Sequence, residues 1–146
     1  MIVLQQWSSF VNFLTYLVVS IPLLLIGIKI FMMQTPYNEM KIIQDAACCD
    51  KTAKDEAGIA VAHNLGGKIV GQALVMASAV FHAVSIGDLI IWGVIGIIFQ
   101  VLVYYAFEKL TPFKVADELM KGNIAVGVFS ARLSFATGLI LAALIS

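Results

Sequence analysis

Apolar and polar positions divide the chain into four long apolar runs with short polar segments between them, at about 10–33, 58–81, 89–107 and 124–145. Each run supplies the roughly 20 mostly apolar residues that a helix needs to cross a bilayer. Backbone groups cannot stay unpaired in lipid, so all four runs are expected to be helical. No positive stretch precedes the first run, and its apolar core is longer than that of a signal peptide. It is therefore expected to persist as a true span. The expected fold is an all-α membrane protein, one membrane domain over residues 1–146.

Two short strings recur in the same order. Thr35-Pro36-Tyr37 follows the first run and Thr111-Pro112-Phe113 follows the third. Ile59-Ala60-Val61-Ala62 opens the second and Ile124-Ala125-Val126-Gly127 opens the fourth. The four helices thus read as two tandem helical hairpins, about 8–83 and 86–146. With two spans each, the copies share one orientation, a parallel repeat and not an inverted one. Thr can cap a helix and Pro suits its first turn, so each Thr-Pro is expected to start a short helix. Tyr37, Met40, Ile43 and Ala47 then fall at helical spacing, as do Phe113, Ala116, Leu119 and Met120. With Lys and acidic residues opposite, both segments are expected to lie as amphipathic helices on the cytoplasmic membrane surface. A charged loop with a chance pattern is the alternative.

Composition adds the solvent. Hydrophobic residues make up 61% of the 146 and charged residues 12%, with a mean hydropathy of +0.97. A soluble domain carries about 25% charged residues, too many to match this chain. Net charge is zero and no basic stripe is present, which argues against nucleic acid. Lys29, Lys41, Lys51 and Lys54 flank the first connection, and Lys109, Lys114 and Lys121 the other long one. Only His82, Ser85 and Asp88 lie between the second and third runs. By the positive-inside rule both long connections face the cytoplasm and both termini face out. Trp7 and Trp92 suit the outer interface.

Cys48 and Cys49 are adjacent, a spacing that rarely meets disulfide geometry, and no second pair completes a metal site. They read as two reduced residues in a loop; a thiol sensor, lipid anchor or metal site stays open. No metal or cofactor is expected.

Candidate chemistry lies inside the bilayer. Asn64, Lys68 and Gln72 stack on one helical face, with Gly67 and Gly71 beside them as a small-residue packing surface. Gln100, Tyr104 and Glu108 repeat that spacing in the third run. Asn12, Tyr16 and Ser20 mark the first run, and Ser130, Ser134 and Thr137 the fourth. Inward-facing polar stripes acting as interhelical glue account for most of them. His63 reads as a packing residue and His82 as outer-loop surface. Lys68 and Arg132 are harder to absorb, because each lies near mid-span and a central cation costs roughly 2.5–3.5 kcal/mol on insertion scales. No run offers an acid at that depth, since Glu108 and Asp88 sit at helix ends. The pair points to a water-filled cavity, an anion path or a carboxylate from another subunit; Arg132, off the Ser130–Ser134 face, is expected to point outward. Paired carboxylates, a Ser-His-acid set, metal motifs and phosphate loops are absent, so an enzyme is not expected.

Thr35-Pro36, Ile59-Ala60-Val61-Ala62, Gly66-Gly67 with Gly71, Gln100 with Tyr104, Gly122-Asn123-Ile124-Ala125-Val126-Gly127 and the Ala142-Ala143 ending together resemble the bacterial membrane family DUF350, or YjfL-like. The resemblance spans nearly the whole chain and implies a bacterial inner-membrane location without implying an activity. Some relatives resemble products encoded near membrane-stress and coat-type proteins, which implies envelope maintenance. The functional expectation is an oligomeric ion or small-solute permeation or transport component with cations at mid-membrane. Its candidate residues are Lys68, Arg132, Asn64, His63, Gln72, Gln100 and Glu108. The alternative is a non-catalytic scaffold in envelope stress that recruits cytoplasmic or membrane-surface proteins. Expected partners are the lipid bilayer and further copies of the chain.

Overall fold

Six helices and their turns follow one another without a strand among the described residues, 2–46 and 53–145 of a computed structural model. They are α1 (Ile2–Met32), α2 (Glu39–Ala46), α3 (Ala53–His82), α4 (Ile86–Leu110), α5 (Val115–Met120) and α6 (Ile124–Leu144). The order long, short, long occurs twice. Cys48 and Cys49 fall outside the described residues. Four helices are long and apolar enough to cross a membrane: Gln6–Met32, Asp55–His82, Ile86–Leu110 and Ile124–Leu144.

The helix boundaries follow local chemistry, with one departure from expectation. Neither Thr-Pro begins the next helix: Thr111-Pro112 ends α4, and Thr35-Pro36 lies in the turn between α1 and α2. Thr111 is the C-cap of α4, at φ −81° and ψ 144°, because the proline after it disfavours helical backbone at its own position. Its hydroxyl donates back to the Phe107 carbonyl at 3.0 Å. Asn38 serves α2, accepting from the Lys41 N–H at 3.1 Å. Ser85 caps α4, accepting from the Asp88 N–H at 3.2 Å, while Asp88 accepts in return from the Val84 N–H. Gly122, at φ 83°, closes α5: its N–H bonds the Leu119 carbonyl and that of Asn123 bonds Glu118. Asn123 then caps α6.

The long helices do not share the work of packing equally. α3 contacts every other helix and α6 most extensively. Both run away from the end that carries α2 and α5, so they lie parallel. Lipid is as apolar as a leucine side chain, so helices associate in it by close packing and hydrogen bonds and not by the hydrophobic effect. The α3–α6 seam shows both. A Cβ on Gly127 would strike the Ala60 backbone, one on Gly67 the Ala131 backbone, and one on Gly138 the Gly71 backbone. Gly67 and Gly71 therefore serve a contact inside the chain. Ser130 donates to Asn64 Oδ1 at 2.6 Å, and Ser78 to the Ala142 carbonyl at 2.6 Å.

α4 joins this pair through two amides. Gln72 Nε2 donates to the Gly93 carbonyl at 2.9 Å, and Gln100 Nε2 to the Ser134 carbonyl at 3.0 Å. α1 packs with one half only. Leu23, Gly27 and Phe31 are buried at four-residue spacing, whereas Trp7, Phe10, Phe13 and Val18 stand exposed.

The short helices are built into the bundle. In α5, Val115 and Leu119 are fully buried against Ala60, Val61, Tyr104 and Phe107. In α2, the inward face is Glu39, Ile42, Ile43 and Ala46, and a Cβ on Gly58 of α3 would collide with Ala46. Met40, Phe113 and Met120, expected on the apolar, membrane-facing side of surface helices, are exposed. The inward face of α2 instead includes a carboxylate.

Candidate functional site

Lys68 is fully buried. Its position in α3 is dictated by the Asn64–Lys68–Gln72 face, all three turned into the bundle and all fully buried. Its ammonium donates to Gln34 Oε1 at 2.8 Å and lies 3.8 Å from the centroid of the Tyr104 ring. A cation held over an aromatic face out of water is stabilised by the ring quadrupole, by about 2 kcal/mol when desolvated. Charge compensation comes from two acids, Glu39 of α2 and Glu108 of α4, whose fields reach Lys68 from beyond salt-bridge distance. The acid nearest in influence comes from outside the spans: the connection after α1 turns back against α3 and delivers Glu39.

Glu39 is 1% exposed, an unusual state for a carboxylate. The Thr35 hydroxyl donates to its Oε1 at 3.1 Å, while Oε2 has no hydrogen-bond partner among the described residues. Burial pushes its carboxyl above the ordinary range, opposed by the Lys68 charge and the Thr35 hydrogen bond. Tyr37, beside it, is held above the ordinary phenol value by burial first, then by Tyr104, Glu39 and Glu108. Glu108 has a second task, accepting the Val115 N–H at 3.0 Å and thereby capping α5 in place of Lys114.

Polar atoms without a protein partner concentrate along this line. Gln34 Nε2, Tyr37 Oη and Glu39 Oε2 are buried and unpaired near the short-helix end; Asn64 Nδ2, Gln72 Oε1 and Gln100 Oε1 continue the series. Asn64 to Gln72 covers about 12 Å of α3 at about 1.5 Å per residue. Each such atom costs about 1–3 kcal/mol unless something satisfies it. The arrangement brings an ammonium, a carboxyl and several unsatisfied polar atoms together out of solvent.

The other sequence candidates lie elsewhere. Arg132 and His63 are exposed on the outer surface of the α3–α6 seam, where they line a groove of about 260 Å³ with Gly66, Val70 and Phe135. His63, expected to be a packing residue, is exposed on this chain. Asn12 is exposed on the bare half of α1. Gln34 and Glu39 were not singled out in the sequence. Spacing of Glu39 with Ile42, Ile43 and Ala46 is the signal that marks Glu39 as inward.

The profile of the family described as Domain of Unknown Function (DUF350) matches residues 5–145. The chain belongs to the DUF350 family. Among its relatives, the UPF0719 transmembrane protein YshE of Bacillus subtilis is 31% identical over 137 residues, covering 93% of this chain and 94% of that protein. The UPF0719 inner membrane protein YjfL of Escherichia coli K12 is 27% identical over 136 residues, covering 93% and 94%. No solved structure matches. In this DUF350 chain the polar cluster draws on both halves of the sequence: Gln34, Glu39 and Lys68 from the first, Tyr104 and Glu108 from the second.

Proposed function

We propose that this DUF350 protein is an ion or small-solute permeation component of a bacterial inner membrane, with both chain ends outside, working as an assembly of several copies. The observation that carries the reading is Lys68. An ionisable group sealed within a span marks an ion, proton or substrate path by default, and here it bonds Gln34 and feels the field of Glu39, both of which lie outside the spans. Movement of the α1–α2 connection would uncover the ammonium and the line of unpaired polar atoms beside it. The connection is thus the gate and Lys68 the charge that it covers. Gly67 and Gly71 are used within the chain, which leaves the bare half of α1, with Asn12, for contact between copies. The lysine-rich connections favour a cytoplasmic position for α2 and α5.

Purified protein in liposomes tests this. A dye-reported proton or halide flux above that of empty vesicles is expected, and Lys68→Met combined with Glu39→Gln, which leaves no buried carboxylate alone, should abolish it. Wild-type vesicles no leakier than empty ones, or a folded double variant with unchanged flux, would remove the reading.

A second reading is a non-catalytic scaffold. It is favoured by Met33, Leu110 and Phe113, exposed at 82%, 84% and 39% around the short-helix end. Crosslinking from Phe113 should then capture one specific protein; lipid and self adducts alone would end it.

A further inference from the structure

Arg132 presents a problem that the Lys68 cluster does not solve. It lies eight positions beyond Ile124, the first residue of α6, so its Cα is about 12 Å along a spanning helix. It is exposed on the lipid-facing side. Among the described residues none donates to it, accepts from it or pairs with it. A bare guanidinium in hydrocarbon is costly, and cations at such depth reach for the interface or for an anion. Side chains on a helix lean toward its N-terminus, so Arg132 leans toward the short-helix end. His63 lies on that side of it, on the neighbouring α3, because the Gly67–Ala131 contact sets the two helices in register.

The groove between them has the right form for a headgroup. Gly66 forms an open floor, with no atom within 4 Å of where its Cβ would stand. Val70 and Phe135 supply apolar walls on the deeper side. Two polar donors thus lie toward the interface and an acyl-compatible surface above them. A carboxylate from a second copy fits less well. The exposed acids among the described residues, Asp45, Glu56 and Asp117, lie in or beside the short-helix segments, not at the depth of Arg132.

We propose that Arg132 and His63, across Gly66 on the outer α3–α6 seam, form a binding site for the phosphate of an anionic phospholipid in the leaflet on the short-helix side. Arg132 holds the phosphate by charge-assisted hydrogen bonds, His63 adds a donor, and the acyl chain runs along Val70 and Phe135. Basic positions between spans near such a leaflet are the recurring form of headgroup recognition. The site is separate from the Lys68 cluster, and its occupancy does not depend on whether the protein conducts.

Native mass spectrometry of the full chain, released from vesicles of equal phosphatidylglycerol and phosphatidylcholine, tests it. Wild type should retain phosphatidylglycerol preferentially, and Arg132→Gln should lower that retention about fivefold. Gly66→Leu fills the groove without meeting a neighbour and should do the same with Arg132 intact, so a folding defect in one variant cannot imitate the result. Arg132→Lys should keep most of the preference. Inorganic phosphate at millimolar concentration should not displace the lipid; displacement would make the site one for a soluble anion and overturn the lipid assignment. Equal retention of the two lipids by wild type, or unchanged preference in both Arg132→Gln and Gly66→Leu, overturns the proposal. So does a preference that disappears only together with a change in oligomer mass, since a second copy would then be the partner.

Discussion

Lys68 of α3 and Arg132 of α6 stand level with each other, because Gly67 packs on Ala131 one residue before each. One cation is wrapped by Gln34, Tyr104 and two acids from neighbouring elements; the other faces outward with no partner among the described residues. The difference arises from which face of its helix each residue occupies. Lys68 shares the inward face with Asn64 and Gln72, while Arg132 is off the inward Ser130–Ser134 face of α6. Equal depth therefore produces two chemistries. Inside, cost is met by protein groups and the charge becomes part of the fold. Outside, it must be met by the surroundings.

The sharpest way to break the comparison is to remove each cation in turn. Lys68→Ala should destabilise the protein by about 2–5 kcal/mol in denaturant unfolding from detergent, since it empties a fully buried site and removes the hydrogen bond to Gln34 and the contact with Tyr104. Adding Glu39→Gln should recover part of that loss, because contacting residues are not additive. Arg132→Ala should stay within about 0.5 kcal/mol of wild type in the same assay, as surface changes do. Equal losses at the two positions would mean that the inside–outside distinction carries no energetic weight.

Glycines of the same seam sharpen it further. Gly138→Leu forces a side chain into the Gly71 backbone and should cost about 1–3 kcal/mol. Gly66→Leu meets open space and should be neutral or stabilising, since glycine costs about 1 kcal/mol in a helix interior relative to alanine.

A smaller effect should appear with pH. Glu39 has a raised carboxyl in the fold, so the folded state holds its proton more tightly than the unfolded chain does. Its contribution to stability is full below the ordinary carboxylate range and is lost as pH rises through the raised value. Melting temperature of wild type relative to Glu39→Gln should accordingly be higher at acidic than at neutral pH; a constant difference would show that Glu39 does not titrate with folding. Least of all, Ser130→Ala should cost about 0.6 kcal/mol, the typical worth of an interhelical hydrogen bond in a membrane protein, read in the same denaturant series.

Much of the fold was legible in the sequence. Run lengths placed the four spans, because bilayer thickness sets them, and four-residue spacing placed Asn64, Lys68 and Gln72 on one face. Two things were not legible. The Thr-Pro pairs carry signals for both a helix end and a helix start, and only the backbone at Thr111 decides between them. Glu39 looks like surface charge on a short amphipathic helix; its spacing with Ile42, Ile43 and Ala46 gives its face, but its full burial depends on α2 folding back onto Gly58, a contact that local pattern does not encode. For the same reason the sequence shows two unaccompanied mid-span cations where the fold, among the described residues, leaves Arg132.

The parallel seam of α3 with α6 bears on how the protein is made. Spans emerge from the ribosome in order, so α3 enters the bilayer before its main partner exists, presenting Asn64 and Gln72 to lipid or to the insertion machinery. α4 can shelter Gln72 through Gly93, but Asn64 waits for Ser130. Closure is therefore deferred to the last helix, which acts as a clasp across two halves built earlier. A ribosome stalled before Ile124 would hold a chain whose polar face is still open, and quality-control proteases that survey unpaired spans would meet it in that interval.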